Sequence, residues 1–129
     1  MDTVLWCLAI LMILPYLLSF YGGYYRKKNT GEIDNHNPRQ QVSQLDDYGQ
    51  RIYAAQHNCW EALILFTASI VVVYLSGVDL TEITVAALVF TAARLSYIAG
   101  YLSGFAMFRS LAFMVGLGAA VYIVSRGLA

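Results

Sequence analysis

The fold is decided by the segment Arg51-Ile-Tyr-Ala-Ala-Gln-His-Asn-Cys-Trp-Glu-Ala-Leu-Ile-Leu-Phe66, which begins polar and continues into apolar sequence up to about Leu75. Read as a helix, it places Arg51, Asn58 and Glu61 on one face, because residues three, four and seven positions apart lie on the same side. A carboxylate in hydrocarbon costs several kcal/mol and is tolerated only where it faces a partner, a cavity or a ligand. Glu61 is therefore the residue that most needs an explanation.

The composition indicates a membrane protein. Of the 129 residues, 59% are apolar and 12% are charged, compared with about 25% charged residues in an average soluble domain. A soluble domain of this size leaves too much of its surface exposed to bury so much apolar sequence. The eight basic and eight acidic residues cancel, and no basic stripe with interleaved aromatic residues is present, so no nucleic acid is expected as a partner.

The cysteines and histidines do not follow a metal-binding pattern. Cys7 and Cys59 lie in apolar or membrane-edge sequence, where free thiols behave as small hydrophobic groups, and no disulfide is expected between them. His36 and His57 each stand alone. We therefore expect no metal site.

Four apolar segments are long enough to cross a bilayer, which requires about 20 residues per helix. They cover approximately residues 4–25, 53–75, 80–102 and 106–124. The N-terminus lacks the basic region and the cleavage site of a signal peptide, so the first segment is expected to remain as a span. We predict one all-α membrane domain, residues 1–129, folded as a bundle of four transmembrane helices with a polar loop at 26–52.

The basic residues of the loops are concentrated on one side. The loop carries Arg26, Lys27, Lys28, Arg39 and Arg51, whereas the opposite side has a single arginine near the C-terminus and three acidic residues. The positive-inside rule then predicts that the long loop and the 103–108 turn are cytoplasmic and that both termini lie on the opposite side.

This topology places the unusual polar residues at one level of the bilayer, near the cytoplasmic ends of the last three spans. They are Arg51, Asn58 and Glu61 in the second span, Arg94, Tyr97 and Tyr101 in the third, and Arg109 in the fourth. One interpretation is structural: Glu61 and Arg94 form an interhelical ion pair, Arg109 extends to the headgroups, and the tyrosines are interfacial aromatic residues.

The other interpretation is a binding site for an anionic amphiphile. Three arginines at one level exceed what Glu61 alone can neutralise, and Arg109 would lower the pKa of a bound thiol. Asn58 offers a donor and an acceptor to a peptide backbone, and Glu61 accepts from an ammonium group. A small transporter is a weaker interpretation, because the polar residues do not continue through the bilayer.

The motif Arg51-x-x-x-Ala55-x-x-Asn58-x-x-Glu61 resembles the second-helix signature of the MAPEG family, the membrane-associated proteins in eicosanoid and glutathione metabolism. Further segments resemble the other landmarks of that family in the same order along the chain. They are Asn37-Pro38-Arg39 upstream, and Ala93-Arg94-x-x-Tyr97-x-x-x-Tyr101 and Arg109-Ser110 downstream.

The resemblance implies a homotrimer of four-helix protomers in the lipid bilayer, with glutathione bound between neighbouring subunits. The implied glutathione-binding residues are Arg51, Asn58, Glu61, Arg94, Tyr97 and Tyr101. Arg109 would stabilise the thiolate, with Ser110 beside it, and a lipophilic substrate would enter from the bilayer. The expected activity is a glutathione transferase or peroxidase. The alternative is a non-enzymatic lipid-binding or scaffold protein of the same fold.

The sequence departs from the best-known members at several of these positions. Ala54 and His57 stand where the eicosanoid-forming members carry further arginines on helix two. An arginine near the end of helix one falls on Tyr24, or is supplied here by Arg26. Phe113 replaces a late tyrosine. These departures predict a less basic pocket and resemble the bacterial and divergent branch of the family.

Overall fold

The computed structural model describes residues 2–129, and within them the chain is entirely helical apart from short connections. The α-helices are α1 (Thr3–Thr30), α2 (Pro38–Ser43), α3 (Asp47–Leu75), α4 (Thr84–Ser103) and α5 (Ala106–Leu128), and a 3-10 turn at Leu80–Ile83 leads into α4. Four helices, with α4 counted from Leu80, are long and apolar enough to cross a membrane. The predicted all-α class with four membrane-spanning helices is confirmed.

The polar segment 26–52 contains less irregular chain than the sequence indicated. Helix α1 runs past its predicted end and stops at Gly31, which takes a left-handed conformation with φ of 88°. Helix α3 starts earlier than predicted because Asp46 caps it, accepting a hydrogen bond of 2.9 Å from the backbone nitrogen of Gly49. The loop is therefore reduced to two connections that flank α2.

Consecutive long helices run in opposite directions. Helix α4 packs against α5 and α1 packs against α3, and α3 also contacts α5. Their shared core is apolar, and the rings of Phe66 in α3 and Phe90 in α4 stack with centroids 4.9 Å apart. Small residues allow close approach of the helices, since Gly116 of α5 packs on Ala93 and on the stem of Arg94. Van der Waals packing of this kind is what holds helices together in lipid.

The outer surface of the bundle is apolar on every long helix. Large side chains such as Phe20, Leu75, Val85 and Met107 are each at least 74% exposed. Soluble monomers rarely expose contiguous apolar surface on this scale, whereas lipid or a second copy of the chain covers it at no cost. The chain is therefore an integral, multi-pass membrane protein.

Candidate functional site

Three helices bring their polar residues together at one end of the bundle. The turn between α4 and α5 lies against α3, where a Cβ built on Gly104 would be 3.5 Å from Nη1 of Arg51. One helical turn earlier, a Cβ built on Gly100 would be 3.3 Å from the backbone nitrogen of Arg109. The start of α3, the end of α4 and the start of α5 therefore meet, which agrees with the prediction that the unusual polar residues gather at one level.

The carboxamide of Asn58 links α4 to α3. Nη2 of Arg94 donates a hydrogen bond to Oδ1 of Asn58, and Nδ2 of Asn58 donates to Oε2 of Glu61 over 3.2 Å. The second bond follows from sequence, because Asn58 and Glu61 are three residues apart on one helix face. The three side chains form one continuous polar chain across two helices.

The direct ion pair between Glu61 and Arg94, which the structural interpretation of the sequence required, is not formed within the protomer. Within residues 2–129, Arg126 forms an ion pair with Glu82 at the opposite end of the bundle, and His57 contacts Glu61 with 3.5 Å between Nε2 and Oε1. Asn58 lies between Arg94 and Glu61, and its amide has both the acceptor and the donor that these two groups require. Glu61 instead points along α3, and its side chain is 62% exposed.

Arg94 is deeply buried, with only 4% of its surface exposed. Its guanidinium carbon lies 4.2 Å from the centre of the Tyr97 ring, and its Nε has no hydrogen-bond partner. A buried charge costs several kcal/mol unless it is paired, and an unpaired buried N–H costs about 1–3 kcal/mol more. Arg94 therefore retains unused capacity to bind a negative or hydrogen-accepting group.

Aromatic rings connect Arg94 to Arg109. The ring of Tyr97 lies 5.6 Å from that of Tyr101 at a steep angle, and the guanidinium carbon of Arg109 lies 4.6 Å from the centre of the Tyr101 ring. Cations are attracted to the negative faces of such rings. The two tyrosine rings therefore lie between the two arginines, and their contacts set the position of one cation relative to the other.

Two cavities open beside this array, and Phe113 borders both. The first, here called the Arg94 pocket, has a volume of about 190 Å³ and is lined by Asn58, Glu61 and Arg94 together with apolar residues. The second, the Arg109 pocket, has a volume of about 400 Å³. It is lined by Tyr97, Tyr101, Arg109, Ser110, Phe113 and Met114. Phe113, where the family resemblance leads one to expect a tyrosine, thus separates the two.

The structure brings most of the predicted site residues together but sets Arg51 apart. Asn58, Glu61 and Arg94 line the first pocket, and the remaining candidates on α4 and α5 line the second. The side chain of Arg51 borders neither pocket, although it shares a helix face with Glu61, because its long stem carries the guanidinium to the α4–α5 turn.

A third pocket lies beside the polar segment and was not predicted as a site. This Arg26 pocket, of about 300 Å³, is lined by Arg26, Pro38, Arg39, Val42, Tyr53, Gln56 and His57. The hydroxyl of Tyr53 and Nε of Arg26 are buried without a hydrogen-bond partner. The sequence did contain a signal for this pocket, because Tyr53, Gln56 and His57 are spaced three and four residues apart and so share one helix face.

An apolar bundle with buried and ring-bound arginines at one end defines an integral membrane protein with a candidate site for an anionic ligand. The MAPEG family matches residues 3–129, and the chain belongs to that family. No curated protein and no solved structure matches the chain. The resemblance seen in the sequence motifs is thus confirmed over essentially the whole chain.

Proposed function

We propose that the protein is a membrane-bound, glutathione-dependent transferase or peroxidase that acts on lipophilic electrophiles. The observation that carries the proposal is the buried guanidinium of Arg94, whose Nε is unpaired, connected through Asn58 to the exposed carboxylate of Glu61. A buried guanidinium, a carboxamide and an exposed carboxylate together suit a zwitterionic ligand with surplus negative charge. Family membership points in the same direction, since the family is defined by eicosanoid and glutathione metabolism.

The donor and acceptor groups of the site fit glutathione. Glu61 would accept hydrogen bonds from its ammonium group, the amide of Asn58 would pair with its peptide backbone, and Arg94 would face a carboxylate. Ligand pockets usually have volumes of about 300–1,000 Å³. The Arg94 pocket alone is smaller than this, at about 190 Å³, and the Arg109 pocket, of about 400 Å³, supplies the remaining room.

Arg109 and Ser110 would carry the chemistry. Bound glutathione supplies a sulfur nucleophile. In the transferase reaction, the sulfur forms a carbon–sulfur bond as the leaving group departs with its electron pair. In the peroxidase reaction, two glutathione molecules are oxidised to the disulfide as a hydroperoxide becomes an alcohol and water. The guanidinium of Arg109 would favour the thiolate over the thiol, with the released proton passing to solvent. The exposed hydroxyl of Ser110, in the same pocket, would donate a hydrogen bond to the sulfur.

We further propose that three protomers assemble around the site. Glu61 is a mostly exposed carboxylate on a helix that is long and apolar enough to cross a membrane, and an exposed charge within a bilayer requires a partner. The Arg26 pocket adjoins it through His57, which lines that pocket and contacts Glu61. A neighbouring protomer would cover both pockets. Light scattering of the detergent-solubilised protein should give three times the chain mass, and a monomer would contradict this assembly.

Glutathione binding to the purified protein tests the function. We expect a dissociation constant in the micromolar-to-millimolar range by isothermal calorimetry, weakened about tenfold or more in Glu61→Gln, which corresponds to about 1.4 kcal/mol for one charged hydrogen bond. The matched control is Glu82→Gln, because Glu82 is ion-paired with Arg126 at the opposite end. The control should bind like the wild type. No heat with the wild type would remove the proposed activity.

A non-enzymatic lipid-binding or scaffold role is the second candidate, and one observation favours it. A groove of about 380 Å³ between α4 and α5 is lined by Val89, Ala92, Phe108 and Leu111 among other mainly apolar residues. A lipid tail would fill such a groove without any chemistry at Arg109. Glutathione that fails to raise the thermal stability, together with lipid that does raise it, would select this role.

A further inference from the structure

Arg51 is separated from the residues with which its sequence motif groups it. Its guanidinium lies at the α4–α5 turn, with Nη1 3.5 Å and Cζ 3.8 Å from a Cβ built on Gly104. On its other side, Cζ lies 5.8 Å from the centre of the Tyr48 ring. It lines none of the three polar pockets. Within one protomer, Arg51 therefore does not border the pocket formed by Asn58 and Arg94.

The location of Arg51 matches an electrostatic need of α4. That helix ends at Gly104, which has φ of 80°, and no basic residue occupies its last turn. The carboxyl end of a helix carries partial negative charge, which a nearby cation stabilises. Arg51, reaching across from α3, supplies that cation to a last turn that has no basic residue of its own.

The end of α4 in turn sets the position of Arg109. The backbone nitrogen of Phe105 donates to the carbonyl of Gly100 over 3.1 Å, and that of Arg109 donates to the carbonyl of Phe105 over 3.0 Å. Gly100 also packs directly on the backbone of Arg109. The first turn of α5 is thus held on the last turn of α4, and a shift of one displaces the other.

We propose that Arg51 is a positioning residue, which fixes the α4–α5 turn and through it the guanidinium of Arg109, and is not a ligand-binding residue. The inference rests on the proposed function, because it concerns how the thiolate of bound glutathione is stabilised. A displacement of about 1 Å in a catalytic group can reduce the rate about 10²-fold, so the contribution of Arg51 is expected in turnover and thiolate stability, with little effect on affinity.

The experiment compares Arg51→Ala with Arg51→Lys in the detergent-solubilised protein. For each variant, calorimetry gives the dissociation constant of glutathione, ultraviolet absorbance against pH gives the pKa of the bound thiol, and conjugation of a model electrophile gives kcat and KM. Arg126→Ala, which removes an arginine from the opposite end of the bundle, is the control. It should leave all four quantities unchanged.

For Arg51→Ala we expect a dissociation constant within about twofold of the wild type, a raised thiol pKa and a kcat reduced about tenfold or more. Arg51→Lys, which keeps a cation at the end of α4, should recover most of the lost kcat. Gly104→Ala disturbs the same turn from the other side and should reproduce the pattern, which keeps the test decisive even if Arg51→Ala fails to fold.

Two outcomes would overturn the inference and leave the proposed function standing. In the first, Arg51→Ala weakens glutathione binding about tenfold while the thiol pKa and kcat at saturation are unchanged, which makes Arg51 a ligand contact. In the second, neither Arg51→Ala nor Gly104→Ala changes any of the quantities. A wild-type protein that binds no glutathione removes the proposed function itself, and the inference with it.

Discussion

The guanidinium of Arg109 is held by an aromatic ring and by no carboxylate. Its carbon lies 4.6 Å from the centre of the Tyr101 ring, and it takes part in none of the ion pairs formed within residues 2–129. A cation that lines a pocket and has no counterion favours a ligand anion strongly, because no carboxylate of the pocket competes for it. This is the physical reason to place the thiolate beside Arg109.

We predict that Arg109→Ala reduces glutathione conjugation about 10²-fold, the usual effect of removing one group that stabilises a developing or ionised anion. Arg109→Lys should retain part of the activity, since it keeps the charge but loses the planar contact with Tyr101. The measurement is kcat with a model electrophile at saturating glutathione. Undiminished turnover in Arg109→Ala would remove this residue from the mechanism.

Asp46 gives the fold a predictable response to acid. The backbone N–H of Gly49 and the hydroxyl of Tyr25 donate hydrogen bonds to its carboxylate and hold its pKa below the usual value. A carboxyl group with a lowered pKa in the folded state contributes stability above its unfolded pKa of about 3.9, and loses it as the pH falls through the folded pKa.

We therefore predict that Asp46→Asn lowers the thermal midpoint at neutral pH, because it removes the negative charge at the start of α3 and one of the two oxygens that accept a hydrogen bond from Tyr25. The difference between variant and wild type should shrink as the pH falls below about 4, because the unfolded chain then takes up a proton that the folded carboxylate accepts only at its lower pKa. Thermal unfolding in detergent across pH 3–7 measures this. A difference that stays constant over the range would show that the charge of Asp46 does not contribute.

At the scale of elements, the contact between α4 and α5 leaves no room for a side chain at Gly100. A Cβ at this position would lie 2.8 Å from Cδ1 of Phe108 and 3.3 Å from the nitrogen of Arg109. Gly118, in the middle of α5, has no neighbouring heavy atom within 4 Å of the equivalent Cβ. The two glycines therefore form a matched pair for the same substitution.

Gly100→Ala should destabilise the protein by about 1–3 kcal/mol through overpacking and should reduce turnover, because the start of α5 must move. Gly118→Ala should be neutral or slightly stabilising, since alanine has the higher helix propensity. Thermal unfolding and conjugation rate, measured side by side, check both effects. Equal behaviour of the two variants would mean that α4 and α5 do not meet as closely as described.

The helices themselves were predictable from sequence, because a long apolar run with few charges is stable in a membrane only as a helix, which pairs its own backbone polar groups. Their ends were less predictable: Gly31 and Asp46 are local signals for a helix stop and a helix start, but the polar composition of residues 26–52 suggested a loop. The Arg94–Asn58 hydrogen bond depends on how α4 is rotated against α3, which no periodicity specifies. The same holds for Arg51, whose long side chain reaches a turn far along the sequence.

At the scale of the whole molecule, the charges at the two ends of the bundle bear on its orientation. The last turns of α1 carry the basic cluster Arg26, Lys27 and Lys28, whereas the end of the bundle that holds Arg126 also holds Asp79 and Glu82. Cytoplasmic flanks are enriched in arginine and lysine. We propose that the end of the bundle with the polar pockets faces the cytoplasm, where glutathione is made available to them.

Cysteine labelling in bacterial spheroplasts tests this orientation. Cys7 and Cys59 are buried, so they should give little background with a membrane-impermeant maleimide. Ser43 ends α2 on the loop side and Ser76 follows α3 on the opposite side, and both are exposed. We expect Ser76→Cys to react in intact spheroplasts and Ser43→Cys to react only after the membrane is opened. The reverse pattern would place the polar pockets outside the cell, where a cytoplasmic supply of glutathione would not reach them.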